Sequence, residues 1–309
     1  MISDFTLAII AFTQFLLGMP VNGFIVWTFC LEWITNKRLH ASDTILMCLG
    51  FTRLLMHLFF FFFYSPMHFK HIVLTSIFQA LYIFFNTASL WFASFLCAIY
   101  CVTVANYSNS LFIYLKHRIS RVCTWMVLAN LLTSLALSCL DWYTTYGFPH
   151  SLSSSTGIMQ KNSTEEHGNV TITLQTSLVV YYVAVTQPFL LYCIAALLLL
   201  NSLWRHIRRM RSSETSLQSL SVEVQLNVLR KLVVSFFLYA IYYVADILAS
   251  YGQLEPFWLM FCTAISCFYP IFHSLILIYF NSRLRKACVA MYQRTMSWIK
   301  KIITTKPKV

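Results

Sequence analysis

Seven apolar stretches constrain the fold of this chain more than any other feature. Each is long enough to cross a hydrocarbon core of ~30 Å, which takes about 20 helical residues. Hydrophobic residues make up 59% of the 309 residues and charged residues only 10%, too few charges for a soluble surface. We therefore predict an all-α bundle of seven transmembrane helices over residues 1–280, followed by a tail over 281–309. The spans are 5–29, 43–64, 78–104, 122–141, 178–203, 232–251 and 257–280, numbered here as segments 1 to 7.

The positions of Lys and Arg predict how this bundle is oriented. All but three of the 22 lie in the loops at 32–42, 105–121 and 204–231 or in the tail. Cytoplasmic loops near helix ends collect such residues, so we expect an outer N-terminus and a cytoplasmic C-terminus in a multi-pass plasma membrane protein. Anionic lipid at the inner face accounts for the pI of about 9.3 without any nucleic-acid partner.

The loop between segments 4 and 5 contains two N-x-Ser/Thr acceptors, at Asn162 and Asn169. The orientation places this loop outside, so we expect N-glycosylation there. A third match, at Asn106, falls at the inner end of segment 3 and is expected to stay unmodified.

Sequence signatures of enzymes are missing. The chain has no H-E-x-x-H, G-x-S-x-G or P-loop motif, and no C-x-x-C zinc pattern. We therefore expect no catalytic activity, no metal and no cofactor. A transporter or channel remains an alternative, although the internal repeats and Gly-broken helices common in transporters are not evident among only 7 glycines.

Several short runs, taken in order, carry a family resemblance. They are Asn-Gly-Phe-Ile at 22–25, Leu-Gly-Phe-Thr-Arg at 49–53, Ala-Asn-Tyr-Ser-Asn at 105–109 and His-Ser-Leu-Ile-Leu at 273–277. Together they resemble the type 2 (bitter) taste receptors, which are seven-helix G-protein-coupled receptors. The resemblance implies small bitter organic ligands, bound in the outer half of the bundle, and activation of a gustducin-like heterotrimeric G protein. The runner-up is a vomeronasal-type pheromone receptor.

Arg53 lies well inside segment 2, where a charge costs ~2.5 kcal/mol or more unless it is paired. Asn22 in segment 1 and Ser274 in segment 7 lie at a depth that an Arg side chain can reach. We predict a hydrogen-bonded network joining segments 1, 2 and 7, with His273 as a further member, and the resemblance implies the same network. The alternative is an Arg53 solvated by internal water.

Asp246 is the other charge within the membrane, near the outer end of segment 6. Tyr242 lies one turn away on the same helix face. The carboxylate could pair with the ammonium group of a ligand, or simply reach water near the helix end.

Trp91 shares a face of segment 3 with Ala88 and Phe95. Composition alone favours packing as its role, whereas the resemblance implies that the segment 3 tryptophan lines the ligand pocket. Thr263 and Ser266 in segment 7 would then provide polar groups opposite it.

The basic residues on the predicted inner side have two possible roles, which are to anchor the helices at the membrane surface and to contact the G protein. The resemblance favours a G-protein contact by Lys116, Arg118, His206, Arg208 and Arg209. Beyond residue 281, apolar residues recur at helical spacing among basic ones, which predicts an interfacial amphipathic helix with Leu284, Cys288, Met291 and Trp298 on one face.

Overall fold

The computed structural model describes residues 2–64, 72–104, 110–143, 163–211, 216–250 and 254–305. Within these ranges the chain is helical, as the sequence predicts, and it contains no strand. The helices are α1 (Ile2–Asn36), α2 (Ala41–Phe63), α3 (Ile72–Val104), α4 (Ser110–His117), α5 (Ile119–Trp142), α6 (Ser163–Arg211), α7 (Ser216–Ser250), α8 (Pro256–Phe280) and α9 (Ser282–Thr305).

Seven of these helices are long and apolar enough to span a membrane: α1, α2, α3, α5, α6, α7 and α8. They correspond in order to segments 1 to 7. The short helix α4, which the sequence analysis did not predict, lies in the loop between segments 3 and 4. The last helix, α9, follows the bundle, and its Leu284 is fully buried against it while Met291 and Trp298 are exposed.

The helix α6 is longer than the segment that the sequence predicts. Its 49 residues extend over ~74 Å at about 1.5 Å per residue, whereas its apolar span, Val179–Arg205, is close to the predicted 178–203. Hydropathy identifies only the apolar part of a helix, so the polar extensions of α6 beyond its apolar span could not be predicted from it. The helical extension contains Asn169, and Asn162 lies outside the described residues.

Small residues allow α1 and α2 to approach closely. A Cβ atom on Gly50 would lie 3.1–3.2 Å from side-chain atoms of Val26 and Ile25. A Cβ atom on Gly18 would lie 2.4 Å from the His57 ring, closer than real atoms come. Because the His57 ring of α2 lies directly against α1 at this point, residue 18 must be a glycine.

Three apolar clusters, two large and one small, form the core of the described residues. The first joins α1, α2, α3, the start of α5, α8 and the start of α9, with Phe29, Leu46 and Phe92 fully buried. The second joins α3, α6, α7 and α8 and is rich in tyrosine, including Tyr239 and Tyr269. Large apolar side chains on the outside of the helices are exposed, as expected for contact with lipid chains; they include Trp27, Leu132, Ile194, Phe237 and Phe272.

Candidate functional site

Arg53 lies at the centre of the bundle and is completely buried. Its Nη1 donates to Ser274 Oγ at 2.7 Å and to the Pro270 carbonyl at 3.1 Å. Its Nε donates to Ser89 Oγ at 3.1 Å, and its Nη2 lies 2.8 Å from Nδ1 of His273. A single guanidinium thus joins α2 to α3 and α8 through neutral acceptors.

A chain of side chains continues from Ser274 towards α1. The Ser274 hydroxyl donates to Asn22 Oδ1 at 2.7 Å. Asn22 Nδ2 donates to the Gly18 carbonyl at 3.0 Å and lies 3.3 Å from His57 Nε2. Gln14 Nε2 lies 2.9 Å from the other ring nitrogen of His57. The structure therefore brings Asn22, Arg53, His273 and Ser274 together, and it adds His57 and Gln14, which the sequence analysis missed.

The protonation of this network follows from counting donors and acceptors. His57 lies between two amides, so a neutral ring satisfies both when Nε2 accepts from Asn22 and Nδ1–H donates to Gln14. Gln14 Oε1 is buried and has no hydrogen-bond partner among the described residues. Exchanging Oε1 and Nε2 of the Gln14 amide brings this oxygen to Nδ1–H of His57. His273 accepts from Arg53 at Nδ1, which leaves its proton on Nε2. Both imidazoles are thus assigned the neutral form beside the charged Arg53.

Aromatic rings connect Arg53 to α7. The guanidinium carbon lies 5.8 Å from the Tyr269 ring centroid, within the range of a cation–π contact. Tyr269 stacks on His273 with centroids 5.7 Å apart and on Tyr242 at 4.5 Å. This stack runs along the interior of α7 and α8, and it leads from Arg53 towards Asp246.

Asp246 lies near the C-terminal end of α7 and is 9% exposed. It accepts a short hydrogen bond from the Tyr181 hydroxyl of α6. The hydroxyls of Tyr242 and Ser266 are buried beside the same carboxylate. Thr263 donates instead to the Leu259 carbonyl within its own helix, at 2.8 Å. One carboxylate is thus surrounded by hydroxyl groups from three helices, and we call this group the outer cluster after the side of the membrane that the charge pattern predicts for it.

Trp91, Ala88 and Phe95 lie in or against the first apolar cluster. Ala88 and Phe95 are buried there, and Trp91 is partly buried with its ring tilted against that of Phe95 at a centroid distance of 5.5 Å. Ser89, on the same helix, reaches Arg53. The role of these three residues in ligand binding stays a prediction.

Two tyrosines that the sequence analysis missed belong to the outer cluster. Tyr181 is bonded to Asp246, and Tyr82 of α3 lies within electrostatic range of that carboxylate. The Tyr82 ring also contacts Phe60 of α2, with centroids 5.0 Å apart. No motif marks either tyrosine among the 17 in the chain, so only packing reveals them.

A large cavity opens at the opposite end of the bundle. Its volume is about 980 Å³, and residues from α2, α3, α5, α6, α7, α8 and α9 line it. Polar and charged side chains are prominent in its wall, among them Asp43, Tyr100, Arg230, Lys231 and Arg285. This is the end where the basic loops lie.

Three charged side chains form ion pairs at the edge of this cavity. Arg283 Nη1 lies 2.6 Å from Asp43 Oδ2 and 2.9 Å from Glu32 Oε1. Because Asp43 is buried, this contact is screened less than a surface pair. It joins the start of α9 to the end of α1 and the start of α2.

The predicted G-protein contacts are spread around the same end. Lys116 of α4 and the adjacent Arg118 are exposed, as is Arg208 of α6. His206 and Arg209 also belong to α6. The structure describes the backbone of these last two residues but not their side chains.

Comparison with known proteins identifies the family. The family model described as Taste receptor protein (TAS2R) matches residues 1–296. Taste receptor type 2 member 3 of Pongo pygmaeus is 31% identical over 293 residues, 92% of this chain and 91% of that protein. Taste receptor type 2 member 2 of Homo sapiens is 27% identical over 282 residues, with coverages of 89% and 91%.

A solved structure shares the fold. The crystal structure of squid rhodopsin superposes with a TM-score of 0.59 at 13% identity, covering 96% of this chain and 86% of that one. The seven-helix architecture is therefore that of rhodopsin, while the sequence matches over nearly the whole chain are to taste receptors. These matches favour the taste receptors over the vomeronasal alternative and are to receptors, not enzymes. The chain belongs to the type 2 (bitter) taste receptor family of G-protein-coupled receptors.

Proposed function

We propose that this receptor binds small organic bitter compounds at the outer cluster and activates a heterotrimeric G protein at its inner cavity. The N-terminus lies outside and the C-terminus in the cytoplasm, with the receptor in the plasma membrane. Support for this orientation comes from the charge asymmetry of the loops. The glycan sites Asn162 and Asn169 then fall on the outer side.

The observation that carries the ligand site is the convergence of polar groups on Asp246. The hydroxyls of Tyr181, Tyr242 and Ser266 come from three different helices and lie beside its carboxylate. A few polar groups that converge in an otherwise apolar interior are typical of small-molecule sites. The surrounding tyrosine rings supply the apolar walls that small-molecule sites need.

The charge of Asp246 defines a class of ligands. A carboxylate in an apolar outer site attracts ammonium groups, and the neighbouring rings of Tyr181 and Tyr242 favour cations at their faces. We therefore expect amine-containing bitter compounds to be among the agonists.

The inner cavity is large enough to hold a short helical segment of another protein. Two turns of a helix with a diameter of about 10 Å occupy ~850 Å³, close to the cavity volume of 980 Å³. The exposed basic side chains of Lys116, Arg118 and Arg208 surround this end and would steer an acidic partner towards it. His206 and Arg209 would extend the same surface.

The test is agonist-dependent nucleotide exchange in membranes that contain the receptor and a purified heterotrimeric G protein. Wild-type receptor should accelerate exchange when an active bitter compound is added, and membranes without receptor should not respond. A channel or transporter would instead give flux in proteoliposomes without any G protein. Flux without exchange would overturn the proposal.

A further inference from the structure

Most of the helix α9 is not covered by the seven-helix bundle. Its start is fixed, because Leu284 is fully buried against the bundle and Arg283 pairs with Glu32 and Asp43. Beyond this anchored turn, every residue from Cys288 to Lys301 is exposed. About four turns of helix are therefore accessible to a partner while the start of α9 stays in place.

The exposed part of α9 carries a broad apolar face. Cys288, Tyr292 and Ile299 stand at positions i, i+4 and i+11, which share one side of a helix. Trp298 and Val289 mark the two edges of this face, and they are 65% and 50% exposed. At about 100° per residue, the apolar arc between these edges covers about 180° of the circumference.

The width of this arc and the position of the charges favour an occupant that encloses the helix. A helix that packs on a single surface needs an apolar stripe of only about 100°. The 24 residues of α9 include six basic and no acidic ones, and Lys286 and Lys301 lie opposite the centre of the apolar arc. If a membrane covered the arc, these two ammonium groups would point away from the lipid headgroups. A groove that surrounds the helix contacts both halves at once.

The occupant must therefore offer an apolar groove that accepts a helix of about 10 Å diameter, with acidic residues around it. Proteins of the EF-hand class combine both properties. Their calcium loops concentrate Asp and Glu, and calcium opens an apolar, Met-rich groove that binds basic amphipathic helices.

We propose that α9 is a docking helix for a calcium-loaded sensor protein of the EF-hand class, which encloses residues 288–301. Charge complementarity between the basic helix and an acidic groove supports this partner. The sequence analysis predicts an interfacial position on the membrane for the same helix, and the experiment distinguishes the two.

The experiment measures binding of purified calmodulin to full-length receptor in nanodiscs of uncharged phosphatidylcholine, with calcium and with a calcium chelator. Trp298→Ala removes an apolar anchor, and Lys286→Glu combined with Lys301→Glu reverses the charge opposite it. The matched controls lie on α5: Trp125→Ala, at an indole that is 67% exposed, and Arg121→Glu, at an exposed charge.

Calcium-loaded calmodulin should bind the wild-type receptor, and chelation of calcium should weaken binding roughly tenfold or more, because the groove then closes. Trp298→Ala should weaken binding roughly tenfold, since aromatic anchors dominate such interfaces. The double charge reversal should have at least a similar effect. Both controls should bind as the wild type does. An unchanged thermal midpoint of each variant shows that it folds.

An environment-sensitive fluorophore on Cys288 provides a second readout, with the other exposed cysteine, Cys139, replaced by serine. Its emission should shift to the blue when calcium-loaded calmodulin is added. A fluorophore that already reports an apolar environment in the nanodisc, and does not respond to calmodulin, would assign α9 to the membrane and overturn the proposal.

The proposal is also overturned if the wild-type receptor shows no calcium-dependent binding, or if Trp298→Ala binds with full affinity. An equal loss of binding in the α5 controls would likewise exclude α9 as the docking helix. None of these measurements needs an agonist or a G protein, so their outcome is independent of the proposed function.

Discussion

Replacement of Arg53 by alanine tests whether the buried network holds the bundle together. Arg53 forms hydrogen bonds to Ser89, Pro270, His273 and Ser274 and has no exposed surface. Arg53→Ala removes a side chain that connects α2, α3 and α8. It leaves three side-chain groups and a carbonyl without their partner, and it leaves a void where the guanidinium was.

The magnitude follows from these lost partners. Each buried polar group left unsatisfied costs about 1–3 kcal/mol, whereas removal of a buried charge returns part of its desolvation cost. The net loss expected for breaking such a site is about 3–5 kcal/mol. For a domain of this size, that corresponds to a fall in Tm on the order of 10 °C.

The buried thiols of this receptor provide the assay. Cys97, Cys101, Cys123, Cys262 and Cys267 are free and buried, so a thiol-reactive fluorophore reports their exposure as purified receptor is heated. Arg53→Ala should lower the midpoint and reduce surface expression. Cys288, exposed on α9, should be replaced by serine in every variant to reduce the background.

A double-mutant cycle with Asn22 distinguishes a network from independent contacts. Asn22 is linked to Arg53 through Ser274, so Asn22→Ala and Arg53→Ala should be non-additive by about 0.5–3 kcal/mol. Met56, also buried in α2 but in the apolar core, provides the control: Met56→Ala should add to Asn22→Ala. Strict additivity of the first pair, or an unchanged midpoint for Arg53→Ala, would refute the network.

Further outcomes are expected at three other places. Gly18→Ala should destabilise the receptor by about 1–3 kcal/mol, because its Cβ would overlap an imidazole, while Gly23→Ala, with its nearest neighbour at 4.0 Å, should be tolerated in the same thermal assay. Asp246→Asn should raise the half-maximal concentration of cationic agonists roughly tenfold and leave neutral agonists nearly unchanged; an equal loss for both classes would mean a structural role. A glycosidase-sensitive mass shift should disappear when Asn162 and Asn169 are both replaced by glutamine, and its persistence would contradict the orientation.

The sequence predicted the helices well because membrane spans depend on a local property. Lipid demands about 20 apolar residues in a row, and the seven stretches appear in the structure as seven helices. The helical extensions of α6 and α7 and the short α4 were not predicted. Polar residues form helices in water as readily as they form loops, and hydropathy does not separate these two states.

Site residues could be predicted where a buried charge requires hydrogen-bond partners. They were missed where their position depends only on how the helices pack. A charge within the membrane requires partners, so Arg53 indicated Asn22 and Ser274 from depth alone. Trp91 carries no such requirement, since an indole fits lipid, core and pocket alike, and its role in the ligand site stays a prediction. Tyr181 was missed because its position beside Asp246 depends on the rotation of α6 against α7, which is set by contacts with several helices.

The outer cluster and the inner cavity are connected by contacts that pass through the Arg53 network. Tyr242 stacks on Tyr269, and Tyr269 contacts both Arg53 and His273. His273 in turn lines the inner cavity. A ligand that displaces Tyr242 must therefore repack Tyr269, and with it the hydrogen bond from Arg53 to His273. Because packed interiors change between discrete arrangements rather than deforming continuously, we expect a ligand at the proposed outer site to change the shape of the cavity through this stack.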